Sequence, residues 1–197
     1  MINSDAWIQT HKGYMFRPFS EDWHDFDIED IAHSLSNLCR FNGHCKEFYS
    51  VAQHSMLVSV IGGDGKQLMD ASRTAVAQWG LLHDAPEAYL GDTSTPIKSS
   101  ERLFLELKML ESIGKHFGLR KLLAGEKHIV SVADKRALAT EKRKLMAVDI
   151  YWEALDGYPP LTMPLIPLAP KEAEKEFLQF YNMLFESTAA KKLMGKT

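Results

Sequence analysis

The dipeptide His83-Asp84 is the most informative pair of polar residues in the chain. It follows an apolar helical run that contains Trp79, Leu81 and Leu82. Polar side chains at the end of such a run are difficult to bury unless a hydrogen-bond partner or a metal ion satisfies them. The pair therefore indicates either a buried hydrogen-bonded site or a metal centre.

Two further residues extend this pattern onto other predicted helices. His54 lies within a helix among apolar neighbours, and Asp134 lies in the helical stretch 132–135. Three helices that converge on one ion would offer imidazole nitrogens and carboxylate oxygens, which suit Zn²⁺, Mn²⁺, Co²⁺ or Fe²⁺. Four protein ligands leave positions open for water on an octahedral ion, and an open position indicates catalysis. Because a single histidine is more often a hydrogen-bonded residue than a ligand, spacing alone leaves both interpretations open.

Glu87 adds a carboxylate close to the pair. It lies four residues after His83 and three after Asp84, so the three side chains share a face if the helix continues. On that face Glu87 would hold a water molecule at the metal. Pro86 lacks an N–H and would clash with the carbonyl of Leu82 in a straight helix, so we expect a helix end or a kink that moves Glu87 off this face.

The ordered set His54, His83-Asp84 and Asp134 resembles the H…HD…D signature of the HD-domain metal-dependent phosphohydrolases, an all-α superfamily. The resemblance covers about residues 28–141, extends to 166–170, and is closest in three segments: 31–41, 48–55 and 83–92. These segments look like the YfdR branch of bacterial and prophage proteins, which is related to 5′-deoxynucleotidases and to phage dATP triphosphohydrolases. The resemblance implies an all-α hydrolase that acts on nucleotides and forms homo-oligomers.

The same resemblance implies a role for each matching residue. The two histidines and two aspartates of the signature match the metal ligands, with one divalent ion per site; Co²⁺, Mn²⁺, Zn²⁺, Fe²⁺ and Mg²⁺ are all compatible. Glu87 matches the acid that positions or activates the attacking water, and Asp92 matches the second acid, which assists the leaving oxygen. Arg40 and Lys98 match phosphate-binding cations, which stabilise the charge of a phosphoryl transition state. A solvated surface cation is the alternative interpretation of both.

Phe41 is a departure from the related deoxynucleotidases, which carry a tryptophan after the matching arginine that crowds the sugar 2′ position. An aromatic wall is retained and is compatible with deoxyribose selectivity, whereas a core phenylalanine is the alternative. The implied reaction is attack of water on the α-phosphorus with loss of the nucleoside 5′-oxygen. The motif does not separate a dNTP triphosphohydrolase from a 5′-deoxynucleotidase, and the likeness to the prophage branch favours the former, with dATP as substrate. Five further cations are candidates for contact with a triphosphate: Arg17, Lys46, Arg102, Lys135 and Arg136.

Two other kinds of metal site are compatible with the sequence. A two-metal HD centre would need additional histidines before Asp134, and His116 and His128 are available there. Neither lies three or four residues from a second candidate ligand, so both are expected on the surface. A non-catalytic zinc-stabilised or nucleotide-sensing module would use a different set: His33, Cys39, His44 and Cys45. That set lacks the ligand spacing typical of zinc, and His24, His33 and His44 are expected in loops or on the surface.

Hydrophobic periodicity predicts the helices that position these residues. The expected helices cover about 28–39, 51–61, 69–82, 103–117, 128–155 and 171–187. Prolines crowd the segment 157–170 and predict an extended connector, while 92–96 predicts a turn and 13–19 a short hairpin. The sequence therefore predicts an all-α single HD domain over 1–197, with a core of about 28–156 and a C-terminal helix that docks on it.

Composition narrows the possible partners. The 197 residues are 45% hydrophobic and 25% charged with a net charge of −3, which excludes a general attraction to nucleic-acid polymers or anionic membranes. The longest uncharged stretch, 48–63, contains serines and a histidine and is too short to span a bilayer. The first twelve residues do not look like a secretory signal, and two cysteines without a CxxC pattern favour reduced thiols, so we expect a cytoplasmic protein.

Overall fold

The computed structural model describes residues 6–20, 22–23, 25–65 and 68–194 and shows the predicted all-α fold. The helices are α1 Ile28–Asn37, α2 Val51–Gly63, α3 Asp70–Leu82, α4 Glu87–Leu90, α5 Ser100–His116, α6 Ala124–Leu145 and α7 Pro170–Met194. Short 3₁₀ turns occur at 40–43, 95–97 and 153–155. Strands β1 Ile8–Gln9 and β2 Met15–Phe16 pair antiparallel, with Ile8 opposite Phe16. The predictions for the start of the chain before residue 6, for His24 and for 195–197 lie outside the described residues.

α2 is the central helix and is buried along most of its length. It packs against α1, α3, α6 and α7. Its buried residues lie on every side of the helix: Val51, Ala52, Gln53, His54, Ser55, Leu57, Val58, Ser59 and Gly62. A helix that is apolar all round belongs in the interior. A polar side chain on α2, such as that of His54, is therefore enclosed by protein.

α2 and α3 approach closely because small residues meet where they cross. A Cβ placed on Gly80 would lie 2.9 Å from the Cα of Ser59. The Ser59 hydroxyl also donates a hydrogen bond of 2.7 Å to the carbonyl oxygen of Ala77. This contact fixes the end of α3, which His83 follows, against the helix that carries His54.

α3 ends at Leu82, and residues 83–86 form a turn before the single helical turn of α4. Pro86 precedes α4 with a φ of −57°, which suits the start of a helix. Gly91 ends α4 with a φ of 80°, a conformation that favours glycine. The predicted interruption at Pro86 is thus confirmed, and Glu87 lies on a new helix rather than on α3.

The C-terminal third differs from its prediction at two helix ends. α6 ends at Leu145 rather than near 155, because the apolar residues that extended the pattern, including Val148 and Ile150, are exposed and not part of a buried stripe. α7 continues to Met194, beyond the predicted end at 187. Residues 157–169 of the proline-rich connector contain no α-helix, as predicted, and Pro170 is the first residue of α7. Among the described residues, no helix combines the length and the apolar character needed to cross a bilayer.

The connector is anchored beside His54 by the neighbouring Gln53. The Gln53 side-chain amide donates to the carbonyl oxygen of Ile166 at 3.0 Å, and its oxygen accepts from the amide of Leu168 at 3.0 Å. These two bonds hold the connector against the first turn of α2.

Candidate metal centre and active site

Three helical segments bring His54, His83 and Asp134 together. The ligand atoms of these residues all lie within 4.8 Å of one another. His54 comes from α2, His83 from the turn after α3 and Asp134 from α6. The Nε2 atom of His54 lies 3.2 Å from a carboxylate oxygen of Asp134. This group can bind a metal ion, since two imidazoles and a carboxylate form a common ligand set for transition metals.

The Nε2 atoms of His54 and His83 are buried, and neither makes a well-aligned hydrogen bond in the described part of the chain, although carboxylate oxygens of Asp134 and Asp84 lie 3.2 and 3.3 Å from them. The other ring nitrogens are occupied. Nδ1 of His83 donates to the carbonyl oxygen of Gly80 at 2.8 Å, and Nδ1 of His54 lies 2.8 Å from a carboxylate oxygen of Glu141. Such contacts at Nδ1 leave Nε2 as the nitrogen that faces a metal. Because buried polar atoms are normally paired, the two unpaired nitrogens beside Asp134 indicate a cation site.

Asp84 reaches the same centre from the turn after α3. Its Oδ2 atom lies 3.6 Å from Nε2 of His54 and 3.3 Å from Nε2 of His83. The same oxygen lies 3.9 Å from a guanidinium nitrogen of Arg40. The four residues that the sequence singled out as metal ligands are therefore brought to one place.

The electrostatics of the centre favour a positive charge. Burial and the charge of Arg40 lower the pKa of His54, but the carboxylates of Glu141 and Asp134 outweigh them and raise it to about 10. Burial raises the pKa of Asp134, yet its contact with His54 holds that pKa well below the ordinary value. In the metal-free centre these carboxylates favour a protonated His54, and a bound cation would replace that proton.

Glu141 is a residue of the site that the sequence analysis missed. It is completely buried on α6, and its carboxylate contacts Nδ1 of His54 at 2.8 Å and a guanidinium nitrogen of Arg40 at 3.2 Å. Burial raises its pKa, but the two cationic partners bring the pKa below the ordinary value. It lies seven residues after Asp134, two helical turns along the same face, and that spacing was the available signal. One side chain thus orients both a candidate metal ligand and the predicted phosphate-binding arginine.

Arg40 begins the loop between α1 and α2. Burial lowers the pKa of its guanidinium, but the surrounding carboxylates, Glu141 first, raise it further above its usual value. Its Nε atom is buried without a hydrogen-bond partner among the described residues. A fixed guanidinium with an unpaired donor is suited to binding an oxyanion.

The residues after Arg40 form a strained turn that carries the aromatic wall. Phe41 and Asn42 have φ angles of 56° and 51°, in the left-handed region that non-glycine residues rarely adopt. The Phe41 ring lies 6.2 Å from that of Trp152 in an edge-on arrangement. Phe41 and Trp152 are both half-buried, so Phe41 packs against a second aromatic ring outside the core. The sequence analysis did not identify Trp152 as its neighbour.

Glu87 and Asp92 are the acidic residues beside the centre. Glu87 is almost completely buried, and its Oε2 atom has no hydrogen-bond partner in the described structure. Burial and the charges of Asp84 and Asp92 raise the pKa of Glu87 to about 9. Burial also raises the pKa of Asp92 above its ordinary value, and the positive charge of Arg40 offsets this only in part. Lys98 lies at the edge of this group: its Nζ is 3.4 Å from Oε1 of Glu87 and 2.9 Å from Oε2 of Glu106.

Two of the five cations proposed for a triphosphate tail have backbone partners. Arg102 donates to the carbonyl oxygens of Leu90 and Gly91 at 2.8 and 2.6 Å, so it completes the C-terminal end of α4. Arg136 donates to the carbonyl oxygen of Pro159 at 3.4 Å. Arg102 therefore stabilises the end of α4, and Arg136 links α6 to the proline-rich connector.

The alternative metal sites receive less support from the geometry. His116 and His128 are exposed on α5 and α6, and neither belongs to a group of three metal-ligating side chains within the described ranges. Cys39 and Cys45 are free thiols whose sulfur atoms lie 3.5 Å apart. Neither cysteine is part of such a group either, and His44 is exposed.

The fold and the site together define a class: a helical protein with a buried histidine–aspartate group that can bind a metal ion. The chain is 38% identical over 188 residues to the uncharacterised protein YfdR of Escherichia coli strain K12, a match that covers 92% of this chain and 97% of YfdR. The chain belongs to the YfdR family. It is also 34% identical over 131 residues to an uncharacterised protein of Rhodobacter capsulatus, covering 61% of this chain and 63% of that protein. No protein-family model matches the chain.

Proposed function

We propose that this protein is a metal-dependent phosphohydrolase of deoxynucleotides, and specifically a dNTP triphosphohydrolase that acts on dATP. The observation that carries the proposal is the pair of buried, unpaired Nε2 atoms of His54 and His83, which lie beside Asp134. Arg40 adds a buried guanidinium next to this cation site. A cation and a guanidinium side by side suit a phosphoryl group, and the resemblance to the HD-domain phosphohydrolases supports the same interpretation.

The proposed metal ligands are His54, His83, Asp84 and Asp134. Their nitrogen and oxygen donors are compatible with Co²⁺, Mn²⁺, Zn²⁺, Fe²⁺ and Mg²⁺. When bound, such an ion would supply Lewis-acid stabilisation of phosphoryl charge and would lower the pKa of a water molecule. The Nε2 atoms of His54 and His83 fit this assignment because each offers a buried lone pair to the ion.

The remaining residues would bind the substrate and move protons. Arg40, held by Glu141, would bind the phosphoryl oxygens, with Lys98 as a second positive charge at the edge. Glu87 would take a proton at Oε2 from the attacking water as the water oxygen bonds to the α-phosphorus. Asp92 would give a proton to the nucleoside 5′-oxygen as its bond to phosphorus breaks, a role that its raised pKa favours.

The state of Glu87 depends on its neighbours. Burial is the main cause of its raised pKa, and repulsion from the Asp84 carboxylate is the next. Neutralising Asp84 with a cation would remove that repulsion and would lower the pKa of Glu87 towards the operating pH. A base whose pKa lies near that pH is the most effective.

Phe41 and Trp152 would form the wall for the sugar, with Phe41 crowding the 2′ position.

Assembly into a homo-oligomer and a cytoplasmic location belong to the same proposal. The connector and α7 are the candidate interface, since Met163, Ile166 and Met183 expose apolar surface there.

Product analysis tests the proposal. The protein is stripped of metal, resupplied with Co²⁺, Mn²⁺, Zn²⁺ or Mg²⁺, and incubated with all dNTPs, NTPs and dNMPs. Deoxyadenosine and intact triphosphate from dATP are the expected products. Orthophosphate from dNMPs alone would identify a 5′-deoxynucleotidase instead, and no turnover of any substrate would favour a nucleotide-sensing module.

Variants tie the activity to the centre. His54→Ala and Asp134→Ala should each abolish turnover and remove the metal bound at this centre. The matched control is His128→Ala, an exposed histidine on α6 that should leave both unchanged. Metal binding that follows Cys39 and Cys45 instead would contradict the proposal.

A further inference from the structure

A second group of metal-ligating side chains lies outside the proposed active site. The ligand atoms of His11, His33 and Glu174 all lie within 4.8 Å of one another. Nδ1 of His33 is 3.0 Å from Oε2 of Glu174, and the rings of His11 and His33 stack with centroids 3.6 Å apart. The three residues come from the turn after β1, from α1 and from α7. Segments that are distant in the sequence thus meet at one point.

The backbone next to His11 is held by contacts of Lys12 with α1 and its N-terminal cap. The amide of Lys12 donates to Oδ1 of Asp30 at 2.7 Å, and Asp30 is buried on α1 one turn before His33. The Lys12 ammonium also contacts Asp27 at 2.8 Å and Glu29 at 2.9 Å. The hairpin turn therefore holds His11 beside α1 without any contribution from the imidazole itself.

The ligand set and the space around it suit a transition metal. Two imidazoles and one carboxylate match zinc sites, in which bonds of about 2.1 Å place neighbouring ligand atoms roughly 3.4 Å apart. Nδ1 of His33 and Oε2 of Glu174 are 3.0 Å apart, a hydrogen bond that a small outward shift would turn into that ligand spacing. A cavity of about 380 Å³, lined by His11, Asp30 and His33, adjoins the group and has room for water ligands.

We propose that His11, His33 and Glu174 form a second metal site, which takes a divalent transition-metal ion such as Zn²⁺ and joins the N-terminal hairpin to α1 and α7. The stacked rings are nearly parallel, at 13°, so their nitrogen lone pairs do not yet converge. His11 must rotate to complete the site, and its exposed side chain allows that rotation. An ion that links residues 33 and 174 closes a long stretch of chain, which is where a metal stabilises a fold most.

Metal counting on the full chain tests the proposal. The metal-stripped protein is dialysed against Zn²⁺, and the bound zinc is measured by elemental analysis. We expect about two ions per chain for the wild type and about one for His11→Ala, for Glu174→Gln and for His54→Ala. The double variant His11→Ala/His54→Ala should bind none, and the control His128→Ala should bind two.

Spectroscopy and stability give independent measurements. Co²⁺ added to His54→Ala should produce visible absorption that Glu174→Gln in the same background removes. Zn²⁺ should also raise the melting temperature of His54→Ala, and His11→Ala should eliminate that rise; His11 is exposed, so its replacement should not prevent folding.

The two proposed metal sites can be refuted independently of each other. A zinc content that His11→Ala and Glu174→Gln leave unchanged would overturn the second site and would not affect the first. A content that His54→Ala leaves unchanged would overturn the first centre and would not affect the second.

Discussion

Glu141→Gln is the most direct perturbation of the proposed site, because Glu141 is buried between His54 and Arg40. The substitution keeps the shape of the side chain and removes its charge. In the variant, no negative charge at position 141 raises the pKa of His54, and the guanidinium of Arg40 loses its nearest anion. We therefore expect weaker metal binding and a less stable fold from one change.

The structure sets the expected size of both effects. Breaking a buried ion pair from one side typically costs about 3–5 kcal/mol. Arg40 keeps Asp84 at 3.9 Å, so we expect the lower end, about 3 kcal/mol. For a chain of this length that loss corresponds to a fall of about 6–12 °C in Tm. Loss of a residue that orients a metal ligand typically weakens metal affinity by about 10- to 100-fold.

The assay uses circular dichroism of the metal-free protein for Tm and competition with a chromogenic chelator for metal affinity, the latter in the His11→Ala background, which lacks the second proposed site. Glu126→Gln is the matched control: Glu126 is also buried on α6 and also paired with an arginine, Arg120, at 2.8 Å. It lies fifteen residues before Glu141, about 22 Å along the helix. The control should lower Tm and leave metal affinity unchanged. Wild-type metal affinity in Glu141→Gln would refute the orienting role.

Further outcomes follow from the packing, the charges and the aromatic wall. Gly80→Ala should destabilise the fold by about 1–3 kcal/mol in urea unfolding, because its Cβ would lie 2.9 Å from backbone, whereas Gly125→Ala has nothing within 4 Å and should be neutral or stabilising. The metal-free protein should lose stability as the pH rises from 5 to 10, because the raised pKa values of His54 and Glu87 mean that the folded state binds protons more tightly than the unfolded state. Glu87→Gln should reduce that loss in melting curves taken across this range, and an undiminished loss would contradict the assignment. Phe41→Ala should raise turnover of ribonucleotides relative to deoxyribonucleotides, and an unchanged ratio would limit Phe41 to packing.

Local periodicity was sufficient to predict most helices. α1, α2, α3 and α5 begin and end within a few residues of their predicted bounds, because each carries apolar residues at helical spacing that are buried. α2 includes Gly62 and Gly63, which the sequence analysis had placed beyond its end. The predicted end of α6 was wrong because an apolar residue, Val148, fits the helical period without being buried. Periodicity shows only how apolar residues are spaced along the chain, whereas their burial depends on which other elements pack against them.

The site was predictable only where its residues carry an ordered motif. His54, His83-Asp84 and Asp134 stand at recognisable positions, and the structure brings them together. Glu141 lies on the same face of α6 as Asp134, but a charged residue late in a long helix ordinarily indicates a solvated surface. The group of His11, His33 and Glu174 has no local pattern at all, since its members meet only through the packing of three separate segments.

The loop that carries the aromatic wall has both of its ends fixed. The amide of Arg40 donates to the carbonyl oxygen of Tyr49 at 2.8 Å, and an isolated antiparallel bridge joins Ser50 to the residue before Arg40. Because the free energy of closing a loop grows slowly with its length, residues 41–48 can be lengthened or replaced with little effect on stability. Under the proposed function, the surface that would meet the nucleoside can therefore change while Arg40 and His54 stay in place. Substrate range and metal binding would then be separately heritable within one small fold.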